Sequence, residues 1–421
     1  MYRRESHLEC VSRDALQKDT IRMTSFSELP LSATLRQRLS ASQFHTPTPI
    51  QAAAIPHALA GKDVMATAQT GTGKTLAFVV PMIEHLLQSP SSKGVAALVL
   101  VPTRELAMQV HEQFEQLRGK TLPPAALVVG GLAEGRQLSA IRSGARVVVA
   151  TPGRLEDFIE RRLVDLRHVA ILVLDEADRM LDMGFLPSIR HIVGVLPKQR
   201  QTLCFSATLL ASVAGLVREY TSDPVRIALG STLKPVDSVE LHAFEVTAND
   251  KFDALCHLLR SEKGRTLVFA RTKRGTERLA KHLAREGFLI AMLHGDRSQS
   301  QRTSALNGFD EGRFKVLVAT DVASRGLDIE SVAHVINYDL PTLPEDFIHR
   351  VGRTGRAGAR GQASTLATPA EALELRNIER VLGLRIQRCD IKAEISAQRL
   401  SRPGNTLASR TLQPLPGEVF A

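Results

Sequence analysis

The sequence has no tryptophan, and aromatic residues make up only 4% of its 421 positions. So few rings exclude a binding mode built on platforms of stacked bases and favour grip on a sugar-phosphate backbone. Its four cysteines, Cys10, Cys204, Cys256 and Cys389, are scattered and form no CxxC pair. That excludes a zinc ribbon, argues against a disulfide framework and reads as incidental thiols in a reducing compartment. No run approaches the roughly 18 consecutive apolar residues of a membrane-spanning helix. The opening MYRRESHLEC has no apolar core of a secretory signal, and a cytoplasmic location is the expectation.

What is present in excess is positive charge. Lys and Arg number 54 against 44 Asp and Glu, a formal net charge of +10. Polyanions are natural partners of such a surface, because each neutralised phosphate releases condensed counterions. With 43% hydrophobic and 23% charged residues the chain sits in the globular range, and its length supplies two or three cores.

Short apolar runs recur between longer amphipathic stretches, at 96–101, 125–129, 146–150, 170–174 and 202–205. Bounded by Gly, Pro and polar residues, they predict parallel strands buried on both faces. Segments 104–119 and 135–143 have helical spacing, so the alternation predicts an α/β sheet with right-handed crossovers. The rhythm restarts at 266–270, 289–293, 315–319, 334–338 and 363–367. Between the two series LGSTLKPVDS, residues 229–238, is rich in turn formers. The expected division is a disordered extension at 1–22 (or residues upstream of the true start), a domain over 23–230, a linker at 231–239, a domain over 240–395 and a disordered tail at 396–421.

Residues 68–75 read AQTGTGKT, after the apolar run 64–66 and before a helix-compatible stretch from Leu76. Strand, loop and helix in that order are what a P-loop requires. In the loop formed by Ala68, Gln69, Thr70, Gly71, Thr72 and Gly73, the two glycines let backbone N–H groups face phosphate oxygens. Lys74 then brings a point charge to the β- and γ-phosphates, and Thr75 a hydroxyl to Mg²⁺. The plainer alternative is a Gly-rich connection. A second apolar strand ends in Asp175-Glu176-Ala177-Asp178, and a carboxylate there faces the nucleotide crevice of an open α/β sheet. Asp175 fits a Mg²⁺-associated acid, and Glu176 the base or positioner of the attacking water.

The tetrapeptide DEAD at 175–178 gives its name to the DEAD-box family of superfamily 2 helicases, and the chain resembles that family from about residue 23 to 390. FHTPTPIQ, 44–51, resembles the Q motif, with Gln43 standing where the family usually has glycine. The resemblance implies that Gln51 bonds the adenine edge, for which an amide offers both donor and acceptor, with Phe26 and Phe44 packing that site. HRVGRTGRAG, 349–358, sets Arg353 and Arg356 three apart, on one face of a helical turn. By resemblance these are arginine fingers, His349 and Arg350 couple the site to the motor, and Asp328 contacts the ribose. Ser206-Ala207-Thr208 resembles the SAT motif, its hydroxyls directed at Asp178. The implied fold is α/β, two tandem RecA-like domains joined by a flexible linker, each a mostly parallel sheet flanked by helices. The implied activity is that of an RNA-stimulated ATPase and RNA helicase using ATP and Mg²⁺, its lobes closing on the nucleotide.

Pro102, Thr103 and Arg104, then Gly131, then Thr151, Pro152, Gly153 and Arg154, each follow a candidate strand of the first domain, on the P-loop edge. Their second-domain counterparts by resemblance are Arg271, Gly295, Gln301, Arg302, Thr320 and Arg325. Such contacts position an RNA backbone without reading its sequence. DEADRMLDMGF and HRVGRTGRAG look most like the bacterial RhlE-type branch, which implies ribosomal precursors or RNA-decay proteins as partners of a monomer without a membrane. The rival readings are a nucleotide-dependent RNA clamp with little unwinding, and a DNA helicase.

Overall fold

A computed structural model of the chain describes residues 25–68, 72–89, 94–208, 211–229, 239–324, 332–355 and 360–392. The expected extension at 1–22, the tail from 396 and linker residues 231–238 lie outside these. Among the described residues fourteen strands form two sheets of seven. The first holds β1 (Val64–Thr67), β2 (Ala97–Leu100), β3 (Ala126–Val128), β4 (Val147–Ala150), β5 (Ile171–Leu174), β6 (Gln201–Ser206) and β7 (Val225–Ala228), in the order β3-β4-β2-β5-β6-β1-β7. The second holds β8 (Val239–Glu245), β9 (Arg265–Phe269), β10 (Ile290–Leu293), β11 (Val316–Ala319), β12 (Val332–Asn337), β13 (Gly361–Ala367) and β14 (Gln387–Cys389), in the order β10-β11-β9-β12-β13-β8-β14. All pairings between these strands are parallel.

Strands near the sheet centres are short and mostly apolar because helices cover both faces, Val147–Ala150 and Ile171–Leu174 wholly so. In β5, Ile171 and Val173 join one core with Phe78 and Val110, while Leu172 and Leu174 join the other with Phe158 and Ile192. The second sheet divides its strands in the same way, Leu267 and Phe269 to one side and Val268 to the other. The helices expected at 104–119 and 135–143 span Arg104–Arg118 and Glu134–Arg142. Val239, expected in the linker, opens β8.

Gln43 is one of four non-glycine residues with positive φ among those described, at φ 61. The position after the helix Ala33–Ala41 needs a left-handed turn, which is why glycine suits it and glutamine is strained there.

Because the strands run parallel, the residues following each of them gather on one edge of their sheet, where ligands bind in open α/β folds. In the first lobe that edge carries the loop after β1 and the segments beginning at Pro102, Thr151, Asp175 and Ala207. None of the described helices is long and apolar enough to cross a membrane.

Candidate nucleotide and RNA site

Gly73 precedes the helix Lys74–Gln88 with φ 86, a left-handed value that a side chain resists. The space is also taken, since a Cβ on Gly73 would run into the Gln51 side chain. The Gln51 Nε2 donates to Gly73 O at 2.9 Å, and its Oε1 accepts from Thr48 N at 2.9 Å. Gln51 therefore ties the helix Pro49–Leu59 to the loop in addition to any contact with a base. Phe26 is buried in the adjoining core and Phe44 packs against it. The Lys74 ammonium, 6% exposed, donates to Ala68 O at 3.0 Å, spanning the loop it is expected to serve. Thr72 and Thr75 are described and half-buried. Gln69, Thr70 and Gly71 lie outside the described residues.

Three carboxylates are buried at the end of β5, with Asp175 2%, Glu176 7% and Asp178 3% exposed. Asp178 is well supplied with donors. Its Oδ2 accepts from Ala207 N (3.0 Å), Thr208 N (2.8 Å) and Thr208 Oγ1 (2.9 Å), and its Oδ1 from Arg179 N (2.9 Å). The Ser206 hydroxyl donates to Thr208 O at 2.7 Å, bracing the turn beside the acid. Burial pushes the Asp178 pKa up, yet nearby His349 and Lys74 with the Thr208 and Ser206 hydroxyls bring it below the ordinary aspartate value. Asp175 is the opposite case. Among the described residues, the one hydrogen bond to its carboxylate is from Glu176 N at 3.0 Å. Burial pushes its pKa up to about 7, with Lys74 opposing and Glu176 and Asp178 reinforcing. A buried acid short of donors beside two others is a fitting place for a divalent cation, with the Thr75 hydroxyl as a further oxygen ligand. Glu176 itself holds φ 50, a strained left-handed conformation of the kind retained at functional sites.

The Asp175 shift has a stability consequence. Its folded value, about 7, lies above the ordinary 3.8, so the folded protein holds a proton there that the unfolded chain has shed. This contribution is complete below 3.8 and is lost as pH rises to about 7. Asp175→Asn is thus expected to stabilise the nucleotide-free protein by a few kcal/mol at pH 8, and by less at pH 5. Thermal denaturation at the two pH values checks this, and an equal effect at both contradicts it.

The second lobe enters the same crevice through the helix Pro344–Val351, whose His349 is an electrostatic neighbour of Asp178. Arg353, 3% exposed, donates from Nε to His349 O at 3.3 Å. Arg350 serves to hold this helix in place. Its guanidinium forms a bidentate pair with Asp321 (2.5 and 2.7 Å), reaches Asn337 Oδ1 (3.1 Å) and Asp339 O (2.6 Å), and lies 4.9 Å over the Phe269 ring. Arg356, Arg325 and Asp328 lie outside the described residues.

The expected RNA-facing residues sit at the strand ends. Pro102 follows β2, and the Thr103 hydroxyl caps the helix Arg104–Arg118 at Leu106 N, 3.3 Å. The Arg104 guanidinium lies against Gly130 and Gly131, the latter at φ 80. Thr151 precedes the helix Pro152–Glu160 without a side-chain bond to it, and Gly153 of that helix has no atom within 4 Å of an added Cβ. Arg154 pairs with Glu134 (3.4 Å) and Asp157 (3.2 Å). In the second lobe, the Gln301 amide caps its own helix at Ser298 N, 3.0 Å. Gly295 lies beside Lys273, Thr320 is buried at the end of β11, and Arg271 is exposed.

Arg302 has an occupation other than the RNA contact expected of it. It is 7% exposed, and its Nε meets Glu105 Oε1 at 2.5 Å, across the two lobes. Its remaining nitrogens go to His294 O (3.4 Å) and Ala323 O (3.2 Å). The sequence reading missed Glu105, though it directly follows Arg104. A carboxylate 8% exposed is costly without a cation, and Arg302 supplies one. Breaking a buried pair from one side costs roughly 3–5 kcal/mol, whereas removing both charges costs less. Glu105→Gln and Arg302→Met should each reduce RNA-dependent lobe closure at least tenfold, and the double variant less than their sum. An inter-lobe fluorescence pair reads this, and additive losses would show that the pair does not couple the lobes.

A P-loop lysine, strand-end carboxylates and a second lobe's arginine and histidine at one crevice define a nucleotide-driven motor of two RecA-like lobes. The chain belongs to the DEAD/DEAH box helicase family. The family profile of that description matches residues 48–215, and the helicase conserved C-terminal domain matches 250–358. The DEAD-box ATP-dependent RNA helicase CshA of Bacillus subtilis (strain 168) is 42% identical over 369 residues, 86% of this chain and 74% of that protein. Among solved structures, S. cerevisiae Dbp5 bound to RNA and ADP BeF3 is similar over 90% of this chain and 98% of its own, at 32% identity and TM-score 0.79. The DEAD box protein from Methanococcus jannaschii is more alike in sequence, at 38% identity over 87% of this chain and 99% of its own, but superposes at TM-score 0.51. The present lobe arrangement is therefore nearer to that of the nucleotide- and RNA-bound relative.

Proposed function

We propose that the chain is an ATP-dependent RNA helicase whose lobes close jointly on ATP and RNA and so separate short duplexes or remodel ribonucleoprotein. The observation that carries this reading is the meeting of Lys74, Asp178 and His349, from two lobes, at one crevice. In it Lys74 grips the β- and γ-phosphates, Glu176 orients and deprotonates the attacking water, and Arg353 with Arg356 offsets charge building on the γ-phosphate. Asp175 and Thr75 would hold Mg²⁺, which would supply positive charge to offset that of the phosphates. Gln51 reads adenine while bracing the loop, with Phe26 and Phe44 beneath it, and Asp328 takes the ribose. Asp178, Ser206 and Thr208 link the nucleotide to the rest of the first lobe.

Arg104, Gly131, Thr151, Gly153, Arg154, Arg271, Gly295, Thr320 and Arg325 line the path of the RNA backbone, while Arg302 acts between the lobes. Ribosome assembly or RNA decay in the cytoplasm, by a monomer, is the cellular setting this implies. The narrower RhlE-type placement is not supported by the Bacillus relatives, which carry the name CshA.

Phosphate release and duplex separation, measured side by side, test the proposal. RNA should stimulate both with ATP, DNA duplexes should not replace RNA, and GTP should support less turnover. Stimulated hydrolysis without strand separation would instead identify a clamp.

A further inference from the structure

The two sheets share one order, so β8 occupies in the second lobe the place of β1, β12 that of β5, and β9 that of β2. Lys74 opens the helix after β1, and Lys251 opens the helix Lys251–Ser261 after β8. Asp175 N donates to Leu100 O at the end of β2, and Asp339 N to Phe269 O at the end of β9. Lys251 thus stands where the phosphate lysine stands in the first lobe, and Asp339 stands one residue beyond the place of the strand-end acid, which Tyr338 takes. The intervening loop reads VTAND, without a glycine, so it lacks the turns that form a phosphate-binding nest.

The second-lobe lysine has internal anions instead. Lys251, 7% exposed, places Nζ 3.1 Å from Glu371 Oε2 and 3.7 Å from Asp339 Oδ1, and 5.4 Å over the Tyr338 ring. The same two acids turn their other oxygens to Arg271. Asp339 Oδ2 accepts from Arg271 N at 2.8 Å, and Glu371 Oε1 lies 3.9 Å from its Nη2, with Glu374 at 3.8 Å. Without the ammonium, Asp339 and Glu371 would repel each other and have reason to part.

We infer that Lys251 is a positioning residue. Its ammonium takes Glu371 and Asp339 where its first-lobe counterpart would take phosphate, and so fixes the carboxylates that aim Arg271 at the RNA backbone. This rests on the reading of Arg271 as an RNA contact, and the test separates the two.

In the full chain, the RNA concentration giving half-maximal ATPase, kcat at saturating RNA and the thermal midpoint are measured for Arg271→Ala, Lys251→Met, Lys251→Arg and Glu371→Gln. Arg271→Ala should raise half-saturating RNA about tenfold, the size of one charge-assisted phosphate contact, with kcat changed less than about twofold. Lys251→Met should match it, Lys251→Arg should return to within about threefold of the parent, and combining Lys251→Met with Arg271→Ala should add nothing further. If Lys251→Met does not fold, Glu371→Gln, which keeps shape and removes one charge, should still raise half-saturation about threefold or more. Should Arg271→Ala leave the RNA dependence unchanged, the RNA reading of Arg271 fails and the positioning role with it. Should Arg271→Ala shift it while Lys251→Met or Glu371→Gln lowers only the thermal midpoint, Lys251 is structural and the inference alone is overturned.

Discussion

Arg353→Ala should lower RNA-stimulated kcat by about 10³–10⁵-fold, the range known for arginine fingers, while ATP affinity changes far less. The guanidinium is buried beside His349, which itself neighbours Asp178 of the opposite lobe. A cation held there acts on charge that builds in the transition state, in a water-poor crevice where it is worth most. On the proposed reading, affinity for ATP comes chiefly from the first lobe, through Lys74. Lysine at 353 should rescue poorly, because a point charge lacks the guanidinium's planar fork. Phosphate release at saturating RNA, with ATP affinity measured separately, checks the split. A kcat within about tenfold of the parent would remove Arg353 from the reaction.

Glu176→Gln should cost about 10²–10⁴-fold in hydrolysis, the usual worth of a positioned general base, and still permit a long-lived complex with ATP and RNA. The amide keeps the size of the carboxylate and takes away only its basicity. The left-handed φ of 50 at this position is unchanged by the substitution, so the fold should tolerate it as it tolerates glutamate. Removing one of three buried acids also relieves repulsion on Asp175, whose pKa Glu176 helps to raise. Tighter rather than weaker nucleotide binding is thus the expected companion effect. Native gels or anisotropy of labelled RNA with ATP report the trapped complex. Undiminished hydrolysis would falsify the role given to Glu176.

The sequence made the interior strands legible because burial on both faces leaves no room for polar residues, as in Val147–Ala150 and Ile171–Leu174. It hid β7, β8 and β14. These lie at or next to an edge of their sheet, and half-exposed runs such as VRIA and QRC carry no apolar signature. The residues proposed to face a triphosphate stand out in the sequence because a phosphate cradle demands particular chemistry in a fixed order. Partners chosen by the fold could not. Glu105 and Arg302 are far apart in sequence, and each alone passes for a solvated charge. The same holds for Arg350, a helical arginine in a basic run until Asp321 and Phe269 close around it. Gln43 shows the converse, a departure from the family's glycine whose meaning appears only in its φ of 61.

The decisive experiment is a crystal structure of the Glu176→Gln protein with ATP, Mg²⁺ and single-stranded RNA. One triphosphate clasped from both sides requires the Arg353 guanidinium at hydrogen-bonding range, about 3 Å, from a γ-phosphate oxygen that Lys74 also holds. An ordered nucleotide on Lys74 with Arg353 turned to solvent would contradict it.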